Sequence, residues 1–199
     1  MTAGSLRVLI PARAPALGKT RLAAALSPEQ RMALGLSLFD HVLRLAVAAV
    51  GAPAVHVVSR SADLLDRARA VGAQAIVETG HGLNAALEQA STVLAAAGDG
   101  PILSLSVDLP QLGADDLAAL IIAPGDVVCA TDSLVEGTNA LLQRRPGLIP
   151  YRYGPGSLAA HRAEAEARGL AFTVVERPGL ARDLDTPADL ALLAPEWRG

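Results

Sequence analysis

Apolar residues fall along this chain in short, nearly unbroken blocks, separated by longer stretches where they recur at helical spacing. Leu6–Pro11, Val55–Ser59, Ala75–Val77, Ile102–Val107, Val127–Ala130, Thr138–Gln143 and Ala171–Val175 have strand length. Between them Pro28–Val50, Ala62–Val71, Leu83–Ala97, Ala114–Ile122 and Ser157–Arg168 read as helices, and Pro187–Leu193 as a closing helix. Punctuation agrees: Ser27-Pro28 opens the first helix, and Gly72 and Gly98 close the second and third. Strands apolar at nearly every position are buried on both faces. The pattern therefore predicts an α/β fold, a mostly parallel sheet in three layers with helices on both faces. No repeat or long linker divides residues 1–199, so one domain is expected. In such sheets ligands gather beyond the carboxyl ends of the strands.

Composition narrows the picture. Of 199 residues 51% are hydrophobic but only 3% aromatic, so the core is built from Ala, Leu and Val. The net charge of −3 gives no general attraction for nucleic acid or an anionic membrane, so any bound anion needs local cations or metal. The single cysteine, Cys129, sits in an apolar run and reads as core. No signal segment opens the chain and no apolar run approaches the roughly 20 residues that span a bilayer. A soluble, cytoplasmic protein is expected, with no nucleic-acid or membrane partner.

Candidate chemistry clusters where the topology wants it. After the first strand, Gly18-Lys19-Thr20 suggests the phosphate loop of ATPases. That loop requires a glycine where Arg13 stands, and Pro15 removes one of the amides it would use, so the Walker reading fails. What remains is a loop with three cations, Arg13, Lys19 and Arg21, which is either an anion site or a solvated basic loop. Asp108 follows the fourth strand in "SVDLP" and is placed to hold a divalent cation, or else to cap the next helix. Asp183 and Asp185, two residues apart in "RDLDTP", point the same way in an extended segment and repel unless a cation lies between them. Mg²⁺ with a ligand's phosphates is the usual answer. One of the pair, or Thr186, could instead cap the closing helix. Gly82, Leu83 and Asn84 open the third helix, where Asn84 either reads a nucleoside edge or serves as a cap. The Gly-Thr-Asn turn containing Thr138 and the glycine-rich helix entry with Gly154 and Ser157 suit an anion, although Ser157 also reads as a plain N-cap. His41, His56, His81 and His161 show no metal-ligand spacing and read as structural. Trp197 suggests docking of the tail.

Taken in order, "PARAPALGKTRLAAALSPEQR", "ETGHGLNAAL", "SVDLP", "EGTNALL", "YGPGSLAAH" and "LARDLDTPADL" resemble the guanylyltransferase family of coenzyme F-420 biosynthesis. The resemblance runs over nearly the whole chain. It implies a Rossmann-like nucleotidyltransferase fold and transfer of GMP from GTP to 2-phospho-L-lactate, phosphoenolpyruvate or 3-phosphoglycerate. It also implies that Lys19 and Arg21, with Arg13, hold the GTP phosphates, and that Gly82, Leu83 and Asn84 lie against the nucleoside. By the same resemblance Asp108, Asp183 and Asp185 bind Mg²⁺, Lys19, Arg21 and Asp108 form the catalytic set, and Thr138, Gly154 and Ser157 bind the acceptor. Arg13 stands where relatives often carry Lys, which keeps the charge. The partners implied are GTP and a small phospho-acid, with room for a homodimer. Two other readings share these residues: a molybdenum-cofactor or sugar-phosphate nucleotidyltransferase, and a non-catalytic nucleotide-binding regulator.

Overall fold

The computed structural model describes residues 5–14 and 18–191; Pro15, Trp197 and the last two residues of the expected closing helix lie outside them. Seven strands form one sheet: β1 (Arg7–Pro11), β2 (Val55–Ser59), β3 (Gln74–Val77), β4 (Ile102–Leu105), β5 (Val127–Thr131), β6 (Thr138–Gln143) and β7 (Phe172–Val175). Their order is β3-β2-β1-β4-β6-β5-β7, and only β6 runs against its neighbours. The helices are α1 (Pro28–Val50), α2 (Ala62–Ala70), α3 (Leu83–Ala97), α4 (Ala114–Ile122), α5 (Ser157–Glu166), α6 (Pro178–Ala181) and α7 (Pro187–Ala191).

Successive strand residues alternate between the two faces. Val8 and Ile10 of β1 meet Phe39, Val42 and Leu43 of α1 and Leu64 and Leu65 of α2 in one core layer. Leu9 turns the other way, to Leu87, Ala90 and Leu94 of α3. A third, smaller cluster matters more for function. Leu22, in a 3₁₀ turn over Thr20–Ala24, packs with Leu34 and Leu38 of α1 and with Leu184. It fastens the loop after β1 and the segment after α6 to the same helix.

Helix α1 starts as its sequence demands. Ser27 Oγ accepts the Gln30 amide at 3.2 Å and Gln30 Oε1 accepts the Ser27 amide at 2.9 Å, a reciprocal cap with Pro28 at the first turn. One expectation needs correcting. The most apolar 18 residues of this 23-residue helix have mean hydropathy 1.6, so by length and composition it is apolar enough to cross a membrane. Isolated charges such as Asp40 and Arg44 break its apolar run in the sequence without making the helix polar. Its Phe39, Val42, Leu43 and Ala46 are buried, and Asp40 pairs with Arg67 of α2 at 2.9 Å.

Candidate active site

Three chain segments converge beyond the carboxyl ends of β1 and β4. The first carries Lys19, whose backbone lies in the left-handed region (φ 55°, ψ 33°) at the entrance to the 3₁₀ turn. Few residues other than glycine take that conformation, and the Leu22 anchor immediately afterwards holds it there. The second is the turn after β4 that ends in Asp108. The third is 182–186, and four contacts position it. Leu184 N donates to the Asp108 carbonyl at 2.9 Å, and the buried Asn139 amide donates to the Leu180 carbonyl at 2.8 Å. Arg177 pairs with Asp116 at 3.0 Å. Gly179 lies so close to the Asp116 carboxylate and the Gln111 carbonyl that a side chain there would collide with both.

The result is a small ionic cluster. Lys19 Nζ lies 2.8 Å from Asp108 Oδ1, 3.3 Å from Asp185 Oδ1 and 2.6 Å from the Leu184 carbonyl, with its side chain only 7% exposed. Arg21 stands at the rim, 75% exposed and 3.9 Å from Asp185. Asp183 is half-buried beside them. Burial first, then the charges of Asp185, Asp108 and Asp189, hold its carboxyl above its ordinary pKa. The capping alternatives are resolved against these aspartates. Asp189 Oδ2 accepts from the Thr186 amide at 2.7 Å, and Thr186 Oγ1 accepts from the Asp189 amide at 3.3 Å, so Thr186 caps α7. Gly113 opens α4, and the carboxylate that accepts its amide belongs to Asp116. Asp108, Asp183 and Asp185 therefore cap nothing.

Among the described residues, no three His, Cys, Asp or Glu side chains stand close enough together to form a ready metal cluster. The Lys19 ammonium, between Asp108 and Asp185, fills the position that a cation would need. Asp108 and Asp185 thus present two oxygen donors to one positive charge, the donor chemistry that a hard divalent ion takes.

Lys19, Asp108 and Asp185 line a cavity of about 390 Å³ together with Arg13, Leu83 and Tyr153. A second hollow of about 300 Å³ shares its Pro11–Arg13 and Leu83 wall and also takes in Gly82 and His81. Asn84 goes elsewhere. Its Nδ2 donates to the Tyr153 carbonyl at 3.0 Å and its Oδ1 accepts the Tyr153 amide at 2.8 Å. It is thus neither the cap, which is Gly82, nor turned with those atoms to a ligand. Thr138 and Ser157 are buried. Thr138 Oγ1 is 3.0 Å from His161 Nδ1, and Leu158, next to Ser157 in the first turn of α5, donates its amide to the Glu136 carbonyl at 3.0 Å. Gly156, not Ser157, caps that helix. Gly154 has φ 139° and open space where a side chain would project. None of these three is among the residues lining the cavity, so their acceptor role is carried by the resemblance alone. His161 is structural, as expected. The Arg152 amide donates to its Nε2 at 2.9 Å, and burial, then Arg152, pulls its pKa down to about 4.

Residues 6–194 match the family model described as "Guanylyl transferase CofC like". The chain belongs to the CofC-like guanylyl transferases. The nucleotidyltransferase enzyme class expected from the motifs follows from that membership. The chain is 41% identical over 195 residues to the phosphoenolpyruvate guanylyltransferase of Rubrobacter xylanophilus, covering 95% of this chain and 93% of that one. It is 36% identical over 191 residues to the 3-phospho-D-glycerate guanylyltransferase of Colwellia psychrerythraea, covering 94% and 90%. Among solved structures, a nucleotidyl transferase from Methanothermobacter thermautotrophicus superposes with a TM-score of 0.67 at 14% identity, covering 98% of both chains. That likeness confirms the α/β nucleotidyltransferase architecture of this CofC-like chain.

Three features of the site escaped sequence reasoning. Tyr153 lines the cavity, with its hydroxyl 2.6 Å from Ser104 Oγ, but a tyrosine in a loop carries no chemical signature. The role of Lys19 as internal partner of Asp108 and Asp185 depends on a contact spanning 166 residues of sequence. The second hollow is lined by ordinary strand-end residues.

Proposed function

We propose that this enzyme transfers GMP from GTP to a three-carbon phospho-acid with release of pyrophosphate, a step of coenzyme F-420 biosynthesis in the cytoplasm. The observation that carries this reading is the convergence of Lys19, Asp108 and Asp185 on one cavity at the strand ends. Family membership and the named activities of the two relatives support it.

The chemistry follows from charge. The acceptor's phosphate, with a second pKa of about 6, is ionised at neutral pH, so its oxygen attacks without a general base. That oxygen forms a bond to the α-phosphorus, the bond to the bridging oxygen breaks, and pyrophosphate leaves with the electron pair. No proton need move, which fits a cavity with no histidine among its lining residues. The barrier is repulsion between two anions. Lys19, Arg21 and Arg13 offset it by holding the triphosphate and fixing the α-phosphorus in line. Asp108 and Asp185, with Asp183 beside them, would hold Mg²⁺, which supplies further neutralisation of phosphate charge. On the resemblance alone, Thr138, Gly154 and Ser157 would bind the acceptor.

The test is incubation with GTP, Mg²⁺ and each of 2-phospho-L-lactate, phosphoenolpyruvate and 3-phosphoglycerate, followed by mass spectrometry and pyrophosphate detection. A guanylylated product with at least one acceptor is expected, and Asp108→Asn should lower its rate about a hundredfold or more. No product with any of the three would overturn the reading.

A further inference from the structure

Beside the phosphate cavity, the second hollow lies against the carboxyl ends of β2 and β3. Val58, Leu83 and Ala86 give it apolar walls. A carboxylate and a guanidinium stand together in it. Glu78 follows directly on β3, with its backbone fixed by an amide donated to the Ser59 carbonyl at 2.9 Å and its side chain only 13% exposed. Arg60 follows β2. Its Nε lies 3.4 Å from Glu78 Oε1, while its Nη2 reaches the Gly80 carbonyl and lies 3.4 Å from His81 Nδ1. The pair joins the ends of β2 and β3 where they border the hollow.

We propose that Glu78 is the residue that reads the base of the nucleotide and selects guanine. This rests on the guanylyl-transfer reading and supplies its base specificity. The two hollows share the Pro11–Arg13 and Leu83 wall. A nucleotide laid across that wall puts its triphosphate by Lys19 and its base by Glu78. Guanine alone among the common bases offers two adjacent donors, N1–H and the 2-amino group, which one carboxylate accepts together. Its O6 then falls on the Arg60 side of the pair, where a donor waits. Adenine and cytosine would turn a ring-nitrogen lone pair on the same carboxylate and be rejected, since a buried charge left facing an acceptor is costly.

The experiment uses the full chain as wild type, Glu78→Gln and Glu78→Asp. Each is titrated calorimetrically with GTP, ITP, XTP and ATP in the absence of acceptor. The wild type is expected to bind GTP about tenfold or more tighter than ITP, which lacks the 2-amino donor, and tighter still than XTP, whose 2-oxygen faces the carboxylate. In Glu78→Gln the side chain offers one acceptor and one donor, which matches xanthine. GTP should then weaken about ten- to a hundredfold while XTP gains, inverting the preference. Glu78→Asp, shorter by one methylene, should weaken GTP without any gain for XTP. An unchanged GTP-to-XTP ratio in Glu78→Gln, in a protein that still transfers GMP, overturns the base assignment alone. A wild type that binds no nucleotide overturns this inference and the functional reading together.

Discussion

The Lys19 ammonium reaches Asp108 and Asp185 only because its own backbone adopts a left-handed conformation, which costs an ordinary residue about 1–2 kcal/mol. That cost is offset by separating two carboxylates that would otherwise repel. Lys19→Met removes the counter-ion and leaves the repulsion. We expect a loss of about 1–3 kcal/mol in stability and a transfer rate lowered about a hundredfold or more. The variant should also respond differently to metal. Mg²⁺ alone should raise its melting temperature more than that of the wild type, because no ammonium has to be displaced first. Scanning calorimetry with and without MgCl₂ measures this, and equal shifts in the two proteins would show that metal and lysine do not share the position. Lys19, Asp108 and Asp185 were legible in the sequence through Gly18-Lys19-Thr20, a carboxylate soon after the fourth strand and the Asp183/Asp185 pair. Glu78 and Arg60 are equally well placed. They were illegible because a single Glu after a short, half-exposed strand looks like any surface residue until β2 and β3 are laid side by side.

At the scale of elements, α3 and the loop leading into α5 behave as one unit because the Asn84 carboxamide grips both backbone groups of Tyr153. The resemblance places Asn84 against the nucleoside, and on that basis its removal should weaken GTP. The clamp assigns it to the loop that carries Gly154. Asn84→Ala should therefore raise the acceptor's KM several-fold, with a much smaller change for GTP and a stability loss of about 1–3 kcal/mol. Initial rates with each substrate varied in turn distinguish the two, and a rise confined to GTP would return Asn84 to the nucleoside. The regular elements themselves were read nearly to the residue. The reversed direction of β6 was missed, because an apolar run carries no arrow. The signal lay in the spacing: residues 132–137 between β5 and β6 are too few for a parallel crossover. Helix α6 is a single turn, too short to show a period, yet its Gly179 sets the path of Asp183 and Asp185.

For the molecule as a whole, acid should act through His161. In the unfolded chain its pKa is near 6.5, and in the fold about 4, because burial and Arg152 disfavour the charged ring. The unfolded state thus binds more protons between these values. Its contribution is fully present above about pH 6.5 and is lost progressively as the pH falls toward 4, on the order of 3 kcal/mol in total. Asp183, whose carboxyl is raised in the fold, acts in the opposite direction. Urea unfolding at pH 7 and pH 5 should therefore show lower stability at pH 5, and His161→Gln should flatten that difference. A slope unchanged in the variant would move the acid sensitivity to another group. The architecture was legible at this scale because seven apolar blocks with helices between them leave few alternatives. The membrane-like length of α1 shows the limit of that reading, since counting unbroken apolar runs overlooks a helix punctuated by a few charges.

Lys19 meets Asp185 across 166 residues, and Asp185 comes after the last strand has ended at Val175. During synthesis every strand of the sheet therefore leaves the ribosome before Asp183 and Asp185 do. A chain cut short after Val175, or clipped there by a protease, would keep all seven strands and lose Asp183 and Asp185 altogether. On the proposed roles of these two residues, turnover would report that synthesis had passed Asp185, which circular dichroism would not reveal.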